Sequence, residues 1–304
     1  MNSQEFHFDR FHPEQLREII NGSDLEHTIL EPGECSARVV RKVTDEFSAD
    51  SGFYNFPVLV RGQFPPKRLC IGMSMGPEHP TWVNGISIER PSLQVYAEGT
   101  EMLYRAGRNT DWMGFSIARQ TLQKAALRLR GEELSLPSRG MVELPISVEI
   151  CKEIFRLIRS SPQEEDSSRL IWIIVEAILS SSSDDGDREP YRFQIVSRAD
   201  RALRSLVGDK YSSKTLCEMI GVSERSVQIH FREAFGMSPK TWFTKLSLNQ
   251  ARSRLLSAES RPGAVAEIAI EFGFDHLGRF SERYRDLFDE LPSETLKRNG
   301  TMSE

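Results

Sequence analysis

Thr215-Leu-Cys-Glu-Met-Ile-Gly-Val-Ser-Glu-Arg-Ser-Val-Gln-Ile-His-Phe-Arg-Glu-Ala-Phe235 is the stretch on which the reading of this chain turns. Leu216, Met219 and Ile220 recur at helical spacing and predict one apolar face on a first helix. Gly221 ends that helix, because a glycine takes the left-handed C′ conformation without steric cost. Ser223 is placed to cap the next helix. There Val227, His230, Phe231 and Phe235 predict a buried side, and Glu224, Arg225, Gln228 and Arg232 an outward one. So short a turn crosses the two helices steeply. The second can then enter a DNA major groove while the first braces it.

The pattern returns downstream in Val265-Ala-Glu-Ile-Ala-Ile-Glu-Phe-Gly-Phe-Asp-His-Leu-Gly-Arg-Phe-Ser-Glu-Arg-Tyr-Arg-Asp-Leu-Phe288. Gly273 marks the turn and Asp275 is the expected N-cap. Leu277, Phe280, Tyr284, Leu287 and Phe288 are expected in the core, with His276, Gly278, Arg279 and Glu282 facing out. Each unit is followed by an aromatic and then a proline, in Phe235-Gly-Met-Ser-Pro239 and Phe288-Asp-Glu-Leu-Pro292. Proline there opens a new helix, since the N1 position has no intrahelical use for its N–H. One long helix, Pro239 to about Ser257, joins the units and spans roughly 27 Å. The reading helices can therefore lie about one duplex turn apart, roughly 34 Å. Other helices are expected over Arg192–Val207, Ser213–Ile220, Glu224–Phe235, Val265–Phe272 and His276–Phe288, with a last one from Pro292.

Residues from about Ile195 to Arg298 resemble the DNA-binding domain of the AraC/XylS family, named for the arabinose-operon regulator. The resemblance is carried by Phe231-Arg-Glu-Ala-Phe-Gly-Met-Ser-Pro239, by Ala251-Arg with Leu255-Leu256, and by Glu267-Ile-Ala-Ile-Glu-Phe-Gly-Phe274 followed by Phe280-Ser281. It covers about one third of the chain. It implies transcription regulation, usually activation, with RNA polymerase as a partner. It also implies a variable N-terminal domain for effector binding or dimerisation. Three residues depart from the family pattern. Ser247 stands where an arginine is usual, Asp289 where the first tail has Gly236, and Glu282 is an acid on the outward face of the second reading helix.

Arginine can read guanine and glutamine adenine, each through paired hydrogen bonds. The expected DNA-binding set is Ser223, Arg225, Gln228, Arg232, His276, Gly278, Arg279 and Glu282. Of Lys240, Lys245, Arg252 and Arg254 on the connecting helix, Lys245 and Arg252 are the phosphate candidates. Solvation alone is the plain alternative for all of these charged positions.

Further from the motif, Ser180-Ser-Ser-Ser-Asp-Asp-Gly-Asp-Arg-Glu-Pro190 has no apolar residue to bury and predicts a linker at 181–190. The expected organisation is a sensor or dimerisation domain over 1–180, β-rich at 27–118 and helical at 119–180. A DNA-binding domain over 191–300 follows, with units at about 213–235 and 265–288. The predicted fold class is α+β: a β-barrel-like, cupin-like domain with helices, then an all-α domain. Short apolar runs at Phe56–Val60, Leu69–Met73 and Leu93–Tyr96 suggest a barrel or sandwich, and Asn84-Gly85 predicts a hairpin. Helices are expected at Arg119–Leu129, Ser147–Arg159 and Ser167–Leu179. The last is too apolar for a solvated surface and is expected to pack on the barrel or on a second subunit, with a homodimer the expectation.

The net charge is −5, unevenly spread. Met1 to Arg192 holds 22 Lys+Arg against 29 Asp+Glu, and Phe193 to Gly300 holds 17 against 14. Attraction for phosphate must then be local. The 304 residues, 39% hydrophobic, allow two ordinary domains. No membrane span or signal peptide is apparent, so a cytoplasmic location is expected. Four scattered cysteines, Cys35, Cys70, Cys151 and Cys217, and six histidines without ligand spacing predict no metal and no cofactor. Trp82, Tyr96, Tyr104 and Trp112 would suit a small-molecule pocket, against the commoner reading as aromatic core. No catalytic motif is present. The competing reading is a DNA-tethered enzyme with a catalytic β domain, and an alkyl-transfer activity of that kind would need a metal-held cysteine cluster.

Overall fold

The structure, a computed structural model, describes residues 2–9, 23–33, 36–75, 81–160, 164–180 and 190–298. The chain divides into two compact units. One comprises Met1–His27 with Cys35–Pro190, the other Thr28–Glu34 with Tyr191–Glu304. Residues 181–189 of the expected linker lie outside the described residues.

The N-terminal part is built on two antiparallel sheets instead of one closed barrel. The larger runs in the order β1 (Asn2–Asp9), β3 (Ser36–Val43), β4 (Phe47–Tyr54), β11 (Thr110–Ile117), β6 (Leu69–Met75), β9 (Ser92–Tyr96) and β12 (Met141–Pro145). The smaller runs β2 (Asp24–Ile29), β5 (Val58–Gln63), β10 (Glu101–Ala106), β7 (Thr81–Val83) and β8 (Ile86–Ile88). The predicted hairpin joins β7 to β8, with Asn84 at φ 42° and Gly85 at φ 88°. The Asn84 amide adds a second function, accepting from the Leu103 N–H and donating to the Glu101 carbonyl, each at 2.7 Å.

Alternation along the larger sheet sorts its two faces. Phe47, Ala49, Leu69, Ile71, Leu93, Val95, Phe115 and Ile117 all join one buried apolar cluster. Into it pack α1 (Arg119–Arg130), α2 (Val148–Arg159) and α3 (Glu164–Leu179). Ser147 caps α2 by accepting from the Ile150 N–H. The apolar face of α3 is covered inside this unit: Leu170, Ile171, Ile173, Ile174, Val175 and Ile178 are buried, and Trp172 is the large residue left exposed. That removes the ground on which a homodimer was expected. Among the described residues no helix is long and apolar enough to cross a membrane.

The C-terminal part is helical: α4 (Tyr191–Ser205), α5 (Ser213–Ile220), α6 (Glu224–Phe235), α7 (Pro239–Ser257), α8 (Ala264–Glu271), α9 (Leu277–Phe288) and α10 (Pro292–Arg298). Buried carboxylates tie its two halves. Asp200 on α4 accepts from Trp242 Nε1 on α7 and from Arg204 Nε, both at 2.8 Å. Glu290 takes Arg252, Arg298 and the Thr295 hydroxyl, and Thr295 lies 2.8 Å from the Tyr284 phenol. Because both oxygens of each carboxylate are engaged, these charges can be buried at tolerable cost.

Candidate nucleic-acid interface

The first unit is assembled from local signals. Ser212 accepts from the Thr215 N–H and starts α5. Gly221, at φ 67°, stops it and donates its N–H to the Cys217 carbonyl at 2.9 Å. Ser223 then caps α6 through the Ser226 N–H at 3.3 Å. On α6 the buried side is Val227, Phe231, Ala234 and Phe235. Phe231 and Phe235 stack at 4.1 Å, and Phe235 leans on Trp242 at 4.7 Å. His230, expected inside, is only half-buried, and Met219 of α5, also expected inside, is 49% exposed.

Arg225, Gln228 and Arg232 lie on the outward side of α6, the two arginines exposed and Gln228 half-buried. Ile229 joins them at 46% exposure. It was missed because an isoleucine reads as core; its offset of one turn from Arg225 was the available signal.

The second unit follows the same plan with looser capping. Gly273, at φ 81°, makes the turn, and the Phe274 N–H bonds the Ala269 carbonyl at 2.9 Å. The N-cap of α9 is His276, without a side-chain bond, instead of Asp275. Asp275 is paired with Lys210 at 3.0 Å. Phe280, Tyr284, Leu287 and Phe288 are buried, but Leu277 is 45% exposed, against expectation. Leu277 opens the helix, where no preceding turn exists to cover it. His276, Gly278, Arg279 and Glu282 are exposed as expected, and so are Arg283 and Arg285, which the sequence reading passed over.

Internal pairing separates the arginines of the two units and of the segment between them. Arg252 is buried, 3.0 Å from Glu290 and over the Phe288 ring. Arg254 faces Glu271 at 3.8 Å, and Arg261 pairs with Glu267. Arg225, Arg232, Arg279, Arg283 and Arg285, all on the two reading helices, have no ion-pair partner among the described residues. The expectation of phosphate contact at Arg252 is therefore corrected: its charge is spent internally. Lys245 is part-buried and donates to the Leu30 carbonyl at 2.5 Å. Burial pulls its pKa down, with Glu31 opposing.

The N-terminal unit holds a cavity between its two sheets. It contains about 710 Å³ of space unoccupied by atoms, part of it continuous with solvent. Tyr96, Tyr104 and Trp112 line it as expected; Trp82 does not, being buried elsewhere on β7. Trp112 stacks on Tyr54 at 5.4 Å, and its indole lies so close over Gly52 that a Cβ there would sit 2.3 Å from the ring. Among the described residues no group of three or more His, Cys, Asp or Glu is placed to hold a metal. Burial pushes the Cys70 thiol up to about 12 and the Cys151 thiol to about 11, which keeps both protonated.

Residues 216–298 match the family described as a helix-turn-helix domain. The C-terminal part thus carries a helix-turn-helix domain. The chain is similar to the XylDLEGF operon transcriptional activator 3 of Pseudomonas putida, 33% identical over 128 residues, which are 41% of this chain and 39% of that protein. It is also similar to a probable thc operon regulatory protein of Rhodococcus erythropolis, 38% identical over 78 residues, 26% of this chain and 24% of the relative. Among solved structures, a probable AraC family transcriptional regulator from Rhodopseudomonas palustris is 31% identical, covering 34% of this chain and 96% of that one at a TM-score of 0.32. The chain therefore spans about two-fifths or less of the length of these two curated relatives.

Proposed function

We propose that this protein is a sequence-specific transcription regulator, an activator that engages RNA polymerase in the cytoplasm, and not an enzyme. The observation that supports the reading best is the sorting of the arginines. Those on α6 and α9 are exposed and without ion partners among the described residues, while Arg252, Arg254 and Arg261 are paired. Unpaired guanidinium groups on the second helix of a helix-turn-helix are positioned for phosphate oxygens and base edges.

The two units divide the work. Arg225, Gln228 and Ile229 on α6 present a bidentate donor, an amide and an apolar group, which suit guanine, adenine and the thymine methyl. Ser223, at the N-cap of α6, faces phosphate. On α9, Arg279, Arg283 and Arg285 chiefly hold the backbone, with His276, Gly278 and Glu282 at the groove edge. Lys245 reaches phosphate only by releasing Leu30. The N-terminal cavity, lined by Tyr96, Tyr104 and Trp112, binds a small-molecule effector.

Selection from a random duplex library with the full chain tests this. A bipartite site with half-sites about one helical turn apart is expected. Failure to enrich any sequence would overturn the reading.

A further inference from the structure

The cavity is built for a particular chemistry, and the register of the larger sheet shows it. Gly114 on β11 lies beside Gly72 on β6. Asp50 on β4 is the next residue outward from Gly114, and Gln94 on β9 the next outward from Gly72. All four line the cavity. The row across four strands is thus carboxylate, bare backbone, bare backbone, amide. A Cβ on Gly114 would meet nothing within 4 Å, so the floor there is open space. The Gln94 amide nitrogen is spent on Ser92, donating to its carbonyl and its hydroxyl at 2.9 Å each, and the amide oxygen lies over Gly72. Across the gap the smaller sheet presents Leu25, Val60, Met102 and Tyr104.

Two further features select the ligand. Tyr104 Oη and Trp112 Nε1 are buried without a hydrogen-bond partner among the described residues, and both residues line the cavity. The Ser74 hydroxyl lies beside the Tyr104 phenol, yet neither oxygen completes a bond. Buried donors of this kind are costly unless something accepts from them. Charge is the other feature. Among the described residues no Lys or Arg lines the cavity, and the one carboxylate there, Asp50, is already met by Arg41 Nε at 2.7 Å. His27, which donates to or accepts from the Tyr54 phenol at 2.9 Å, is held neutral by burial, its pKa lowered to about 4. An anion would find no counter-charge there, and a cation only a carboxylate that already has one.

We infer that the cavity takes an uncharged, flat ring compound whose hydrogen-bond acceptor meets Tyr104 and Trp112 while its ring lies on the Gly72–Gly114 floor. This rests on the effector part of the proposed function and names the ligand class for it.

Four probes of one shape test it by calorimetric titration of the full chain without DNA: acetophenone, benzoate, benzylammonium and cumene. Acetophenone is expected to bind at least about tenfold tighter than benzoate or benzylammonium. Tyr104→Phe should weaken acetophenone about tenfold and leave cumene unchanged. Gly114→Val fills the floor at a site with room for a side chain, so it should fold, as circular dichroism will show, and lose all binding. Tighter binding of benzoate or benzylammonium overturns the ligand class while leaving an effector site in place. Binding by none of the four, or binding that survives Gly114→Val, overturns the site itself. None of these outcomes bears on the duplex selection above, so the DNA-binding reading stands or falls separately.

Discussion

The two reading helices are the same length and have different surfaces. Laying Glu224 of α6 on Leu277 of α9 puts Val227 on Phe280, Phe231 on Tyr284, Ala234 on Leu287 and Phe235 on Phe288, and all eight residues are buried. The core repeat is complete. The outward repeat is not: Arg225, Gln228, Ile229 and Arg232 fall on Gly278, Ser281, Glu282 and Arg285. A core stripe is constrained by packing against its own domain, whereas the outer stripe is constrained only by what it touches. The comparison therefore teaches that one scaffold has been used twice, once with arginine, glutamine and isoleucine turned outward and once with glycine, serine and glutamate in their places.

The largest expected effect concerns the scaffold that makes the comparison possible. Asp200 is fully buried and serves both Trp242 and Arg204. Asp200→Ala removes the buried acceptor that both donors share and should cost about 3–5 kcal/mol in urea unfolding of the full chain. A loss below about 1 kcal/mol would show that the first half is not held at this point.

Next come the outward residues themselves. Arg225→Ala and Gln228→Ala should each cost about 1–3 kcal/mol for the selected site and relax preference at one or two base pairs. Fluorescence anisotropy on selected and scrambled duplexes reads this. If both variants keep the ratio of specific to non-specific affinity, the asymmetry between the units is wrong. Arg285→Ala should weaken every sequence alike and lower the salt slope by about one. A sequence-dependent loss there would make α9 a reader too.

Glu282→Gln sharpens the comparison further. An exposed acid near phosphate repels it, so the variant should bind all duplexes tighter by a few tenths of a kcal/mol at low salt, an effect that fades as salt rises. Weaker binding at one cytosine-containing site alone would mean that Glu282 accepts from the base.

The smallest effect lies in the helix ends. Gly236 closes α6 at φ 70°, while Asp289 closes α9 at φ 56° with its N–H on the Arg285 carbonyl at 2.8 Å. A side chain in that left-handed conformation is strained. Asp289→Gly should raise the melting temperature, with a gain of about 0.5–1 kcal/mol. No gain would indicate that the aspartate makes up the strain locally.

Helix bounds in the C-terminal part were legible because their causes are local. A serine cap, a left-handed glycine and a three-to-four-residue apolar recurrence act within one turn of chain, so α5, α6 and α7 begin and end where Ser213–Ile220, Glu224–Phe235 and Pro239–Ser257 predicted. The Asn84-Gly85 hairpin was legible for the same reason. Tertiary structure alone decided which charges remain available, because Arg252 and Arg225 look alike until Glu290, thirty-eight residues from Arg252, folds onto one of them. It also decided the cavity. Asp50, Gly114, Gly72 and Gln94 are far apart in the chain and become one row only through strand register, a long-range property that no local pattern encodes. Trp82 and Trp112 carry the same indole, and strand order sends one into the cavity wall and the other elsewhere in the core.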